Sequence, residues 1–152
     1  MSSPGSKDAT DCLICRQVAG EVTGGLLIDA PLVTGFHASV IPQNPSPLLG
    51  HCFVSPRRHA AAWEHLDARE AAAVGVAVSR VARALRATLD LERVYTASIG
   101  HAYAHLHVHL LPRYSGTPAD VPWVELDEWE GAPHGDEKAI DDLAGRLREA
   151  LE

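Results

Sequence analysis

Histidine and apolar residues alternate without a break from His105 to Leu110, within the run His105-Leu106-His107-Val108-His109-Leu110-Leu111-Pro112-Arg113. Successive side chains of an extended chain point to opposite faces, so this period of two predicts a strand over His105–Leu111. His105, His107 and His109 would stand on one face, with Leu106, Val108 and Leu110 entering a core from the other. Such a strand needs a sheet beside it and an apolar layer behind it. A lone buried histidine is commonplace, whereas three at consecutive same-face positions have no packing rationale and point to chemistry. Two chemistries use such a row. The histidines can chelate a catalytic metal that keeps a position open for water. Alternatively, one imidazole attacks phosphorus while its neighbours fix its tautomer and bind the developing charge. The row alone leaves both open.

The remaining chain supplies the sheet and the layer. Runs at Leu26–Asp29 and Leu32–His37, bounded by Gly24-Gly25 and Ala30-Pro31, read as a strand pair, and His51–Ser55 reads as a third strand between Gly50 and Pro56. Arg93–Ile99 precedes the histidine strand, with Gly100 to Ala104 turning between them. Asp67, with Glu70 three residues on, opens a long helix whose Val74, Val78, Val81, Leu85 and Leu89 recur at helical spacing. Arg80, Arg83 and Arg86 lie off that stripe and read as a solvated face. A short helical turn is expected between Asp11 and Gly20. A loop marked by Pro118 and Pro122 carries Trp123 and Trp129. Asp136 to Leu151 closes the chain as an amphipathic helix with Ile140, Leu143, Leu147 and Leu151 on one side. The fold class is therefore α+β, a mainly antiparallel sheet of about five strands with one long helix and a C-terminal helix.

A chain of 152 residues fits one core. We divide it into a loose N-terminus (1–10), a domain (11–115) and an extension (116–152) that ends in an acidic helix. The net charge of −7 argues against binding nucleic acid through a basic surface. From residue 119 onward there are 11 acidic and 3 basic residues, whereas residues 1–118 carry 9 acidic and 10 basic ones, so an anionic substrate remains admissible at the core. No apolar stretch approaches the ~20 residues that span a bilayer, and the start lacks the hydrophobic segment of a signal peptide, so no membrane association and a cytoplasmic location are predicted. Three cysteines, two of them in Cys12-x-x-Cys15, suit metal or redox chemistry better than a disulfide framework. Cys52, alone on a strand, reads as a small core hydrophobe.

The row resembles the motif of the histidine triad (HIT) superfamily, His-φ-His-φ-His-φ-φ with φ apolar, at every position from 105 to 111. Cys12-Leu-Ile-Cys15 followed by Val18-Ala19-Gly20-Glu21 is similar to the opening of Hint-type members. Gly50-His51-Cys52-Phe53-Val54-Ser55-Pro56-Arg57-Arg58-His59 is similar to their Gly-His-x-φ-Val-φ-Pro-x-x-His. The resemblance covers about residues 11–115, and the ordered set of three motifs is specific where CxxC alone is weak.

The resemblance implies a hydrolase of nucleotide phosphoanhydrides or phosphoramidates, acting through a nucleotidyl-histidine intermediate on His107. It places His109 as stabiliser of phosphate oxygens or proton donor, and His105 and His51 as catalytic supports. It puts Phe36, His37, Gly100 and His101 at the nucleotide, and it implies a homodimer formed through the long helix and a sheet edge. In zinc-bearing members the CxxC thiolates are joined by two histidines; carried over by position, Cys12, Cys15, His59 and His105 would hold a structural zinc, with no organic cofactor. Arg113 reads equally as a phosphate contact or an exposed strand end and is left outside the site. Two departures bear on the substrate: Ala38 stands where Hint-type members carry a ribose-binding aspartate, and Ala102 where many carry a phosphate-binding hydroxyl. The alternatives are a nucleotidyl transferase, a non-catalytic nucleotide-binding protein, and a hydrolase whose three histidines bind a catalytic zinc.

Overall fold

The computed structural model describes residues 11–22, 24–101 and 103–152. The loose N-terminus expected over 1–10 and the departure at Ala102 lie outside them. Five strands form one antiparallel sheet: β1 (Leu26–Asp29), β2 (Val33–His37), β3 (Cys52–Pro56), β4 (Leu91–Ala97) and β5 (Val108–Tyr114), in the spatial order β1-β2-β3-β5-β4. Three helices complete it: α1 (Leu13–Val18), α2 (Ala68–Thr88) and α3 (Glu137–Leu151). This is the expected α+β architecture.

α2 starts where its sequence says it should. The Asp67 carboxylate accepts from the Glu70 amide at 2.8 Å, and the Glu70 carboxylate accepts from the Asp67 amide at 3.0 Å. Its fully buried apolar stripe is Val74, Ala77, Val81, Ala84 and Leu85, and the expected Val78 and Leu89 pack half-buried against the same core. Small residues there let the helix approach the sheet. They pack on Val33, Cys52, Val54, Val108 and Leu110 from one sheet face, and Leu143, Ala144 and Leu147 of α3 extend the same core. Burying each large aliphatic side chain contributes roughly 1.5–3 kcal/mol relative to leaving it in water. Gly50 has φ +91°, and a Cβ there would lie 2.8 Å from Leu89, so the turn into β3 passes the end of α2 only as glycine.

The strand of the histidine row departs from its expected bounds at both ends. β5 begins at Val108 rather than His105, because β3 pairs with it only over Cys52–Val54, and Leu106 instead donates its amide to the Ala60 carbonyl at 2.7 Å. It runs on to Tyr114 through Pro112. A proline has no amide hydrogen to offer, and Pro112 sits where β3 no longer pairs and only β4 lies beside the strand, with Val94 opposite.

Candidate active site and metal cluster

The register sets two faces. Phe36 pairs with Phe53 and Phe53 with His109, while His37 pairs with Cys52 and Cys52 with Leu110. The first set lies on the face away from α2. There Phe53 packs against His51 and His109 at 4.7 Å between ring centroids, and against His107 at 5.7 Å. α1 lies over this face, and Cys12 and Ile14 pack against Phe36. Between α1, the sheet and the turn after β4 is a cavity of about 240 Å³. His107, His109, Phe36, Gly100 and His101 line it, joined by Leu13, Ile14, Gln17, Phe53, Ile99 and Tyr103, which sequence reasoning did not single out. Phe53 was recoverable, since it shares strand parity with His51. The α1 residues carried no such signal.

His37 is corrected by the same parity. Adjacent strand residues face opposite ways, so Phe36 and His37 cannot both meet a ligand. His37 is fully buried on the helix side, its Nδ1 donating to the Ala38 carbonyl at 2.8 Å and its Nε2 accepting from the Gly50 amide at 2.8 Å. It braces the turn before β3 and does not line the cavity.

The three imidazoles do not form one row. His107 and His109 wall the cavity with rings 5.0 Å apart, whereas His105, preceding β5, turns away. Its Nε2 lies 2.8 Å from the Pro56 carbonyl. A carbonyl oxygen only accepts, so Nε2 carries the hydrogen and Nδ1 is bare. That bare Nδ1 lies 3.5 Å from Cys12 Sγ and 3.4 Å from Cys15 Sγ, and His59 Nδ1 is 3.3 Å from Cys15 Sγ. All four donor atoms fall within 4.8 Å of one another. In tetrahedral zinc sites, with Zn–S near 2.3 Å and Zn–N near 2.0–2.1 Å, neighbouring sulfur and nitrogen ligands are about 3.6 Å apart. The set therefore fits a structural tetrahedral ion. Burial, with the neighbouring Cys12, raises the Cys15 thiol to about 11, so an ion would have to displace its proton.

Tautomers at the cavity follow from the same rule. His107 Nδ1 lies 2.7 Å from the His105 carbonyl, so it holds the hydrogen and Nε2 keeps a free lone pair. His51 Nε2 and His109 Nδ1 are 3.0 Å apart and share one hydrogen. Burial lowers the pKa of His107 and, with neighbouring imidazoles, takes His109 to about 4 and His51 to about 3. All three rings are neutral at pH 7. A second cavity, of about 250 Å³, lies against His51 and His109 and is closed by Trp123, Val124, Leu126 and Asp127 of the extension. Arg113 belongs to neither cavity. Its buried guanidinium pairs with Glu92 and donates to the carbonyls of Pro118 and Val121, fastening the extension to β5.

No curated protein is significantly similar to the chain in sequence. Among solved structures, a hypothetical histidine triad nucleotide-binding protein from Sulfolobus tokodaii is 19% identical, with TM-score 0.72 over 92% of this chain and 91% of the other. A zinc-bound histidine triad family protein from Mycobacterium smegmatis is 20% identical, with TM-score 0.70 over 95% of each chain. A Hit-like protein from Bartonella henselae is 18% identical, with TM-score 0.69 over 95% of this chain and 99% of the other. At these identities the likeness speaks for the fold. The HIT domain family model matches residues 25–116, which contain the whole histidine motif and all five strands, and on that match the chain belongs to the HIT domain family.

Proposed function

We propose that this HIT protein is a nucleotide hydrolase in which His107 Nε2 attacks the α-phosphorus of a nucleotide anhydride or phosphoramidate. The observation that carries the reading is the His105 carbonyl on His107 Nδ1, which leaves a neutral, bare Nε2 at the wall of an apolar cavity. In the first step the Nε2–P bond forms and the bond from phosphorus to the leaving group breaks, its electron pair going to the leaving atom. That atom takes a proton relayed from solvent through His109, which presents Nε2–H when His51 donates to its Nδ1 and regains a proton as it gives one, so the ring stays neutral. The imidazolium formed on His107 is stabilised by the His105 carbonyl. In the second step water attacks phosphorus and releases a proton to solvent through His109, and the P–N electron pair returns to His107. Apolar and aromatic walls at Phe36, Phe53 and Ile14 suit a nucleobase, with Gly100 and His101 beside it.

Cys12, Cys15, His59 and His105 would hold zinc, whose role there is to fasten α1 to the segment before β5. With His105 turned to the thiols, His107 and His109 remain for the substrate, which favours this reading over a catalytic ion bound by all three. A homodimer belongs to the proposal, supported by Val76, which α2 leaves 60% exposed. No helix among the described residues is long and apolar enough to cross a membrane. Mass spectrometry after rapid quenching with an adenosine phosphoramidate or a dinucleoside polyphosphate tests the mechanism. A nucleotidyl adduct on His107 is expected. An adduct on another residue, or turnover retained by His107→Ala, overturns it.

A further inference from the structure

We propose that the second cavity, closed by the extension, receives the group that leaves phosphorus, and that it selects leaving groups with an apolar body and no negative charge. The proposal rests on the nucleotidyl-transfer reading and adds a substrate class to it.

Position is the first support. His109 and Ile99 are common to both cavities, so the proton donor stands at the partition between them. In an in-line displacement the leaving atom departs on the side of phosphorus opposite the attacking nitrogen. With the nucleoside in the first cavity, the group released past His109 enters the second.

Construction is the second. Leu48, Leu111 and Leu126 form its apolar walls. Ile99, Trp123 and Val124, exposed by 63%, 42% and 56%, stand at the same place. Large apolar side chains left in water side by side at a reaction centre are suited to covering a ligand. The wall is also fixed in advance. Arg113 holds the carbonyls of Pro118 and Val121, and the His134 ring lies between the carbonyls of Ser46 and Asp127, its nitrogens 2.7 and 2.8 Å from them, and donates to one.

Charge is the third. Among the described residues Asp127 is the one acidic side chain lining this cavity, and no lysine or arginine lines it. His51 and His109 are neutral at pH 7. A released nucleoside polyphosphate would bring several negative charges to apolar walls and a carboxylate, with nothing to pair them. An aromatic or aliphatic amine fits, and one bearing a second ammonium gains an attraction.

The test uses the full-length chain and adenosine 5′-phosphoramidates whose P–N bond joins the phosphate to ammonia, benzylamine, 4-(aminomethyl)benzylamine or 4-carboxybenzylamine. We expect kcat/KM to be at least tenfold higher for the benzyl and ammonium compounds than for the carboxylate. Trp123→Ala should cut the ratio of benzyl to unsubstituted kcat/KM about tenfold. Asp127→Asn should narrow the gap between the ammonium and carboxylate compounds. Equal turnover across the series by wild type, with His107→Ala inactive, overturns the cavity assignment and leaves the nucleophile standing. An unchanged ratio in Trp123→Ala has the same meaning. Absence of turnover for every compound, the unsubstituted one included, overturns the nucleotidyl-transfer reading and this proposal with it.

Discussion

His105 supports His107 through its backbone and leaves it through its side chain: its carbonyl lies 2.7 Å from His107 Nδ1, while its own Nδ1 faces the thiols of Cys12 and Cys15. One residue therefore belongs both to the candidate metal cluster and to the support of the proposed nucleophile. His107→Ala should lower kcat by at least about 10³-fold, since a displaced nucleophile leaves only binding and electrostatic contributions. Steady-state kinetics and an unchanged circular dichroism spectrum check this together.

The cluster predicts about one zinc per chain by elemental analysis, lost in Cys15→Ser. Because the ligands must lose protons to bind, and Cys15 sits near 11 without an ion, metal uptake should release protons and weaken as pH falls. Chelation should lower Tm. At saturating substrate kcat should then track the folded fraction, since no reacting group is carried by the ion in the proposed mechanism, while KM rises as α1 loosens; a complete loss of kcat at unchanged Tm would contradict this.

The depressed histidines set a pH window. His51 and His109 titrate near 3 and 4 in the folded chain and near 6.5 when unfolded, so the unfolded chain binds protons first on acidification. Their contribution to stability is complete above pH 6.5 and declines as pH falls from there through 4. Denaturant midpoints at pH 7.5 and 5 should differ, and His51→Asn should flatten the difference. An identical slope in wild type and variant would exclude His51 as its source.

His37→Leu should act on stability and not on the substrate. It removes the acceptor of the Gly50 amide from a buried place, at a cost of about 1–3 kcal/mol. Urea denaturation should show that loss while KM moves less than twofold. A selective rise in KM would return His37 to the binding site.

Arg113→Met should free the extension. Hydrogen bonds from a charged donor contribute about 1.5–3 kcal/mol, and Arg113 makes them to Glu92, Val121 and Pro118. We expect a comparable loss of stability and faster proteolytic cleavage between residues 116 and 135.

Much of this arrangement was legible because it is periodic. The alternation at 105–111 marked a strand, the Asp67-x-x-Glu70 box marked the start of α2, and the order of the motifs marked the family. What escaped depended on partners distant in sequence. Pro112 looked like a strand end because the loss of pairing with β3 at that point cannot be read from either segment alone. His105 leaves the row for Cys12, Cys15 and His59, the set that the resemblance had already assigned to it. His37 was misplaced by resemblance although parity with Phe36 already forbade it. Arg113 needed the extension to fold back before its role existed, and the α1 wall of the cavity needed the whole tertiary structure.

A helix of six residues does not persist in water by itself. α1 shares no strand pairing with the sheet and is pinned by the sulfur and imidazole contacts of Cys12 and Cys15, with Phe36 and Phe53 beneath it. Leu13, Ile14 and Gln17, which line the cavity from this turn, are consequently only as firm as that fastening. Unclasping the thiols would open the proposed nucleoside side of the protein like a hinged door while leaving His51, just before β3, and His109, on β5, in their frame.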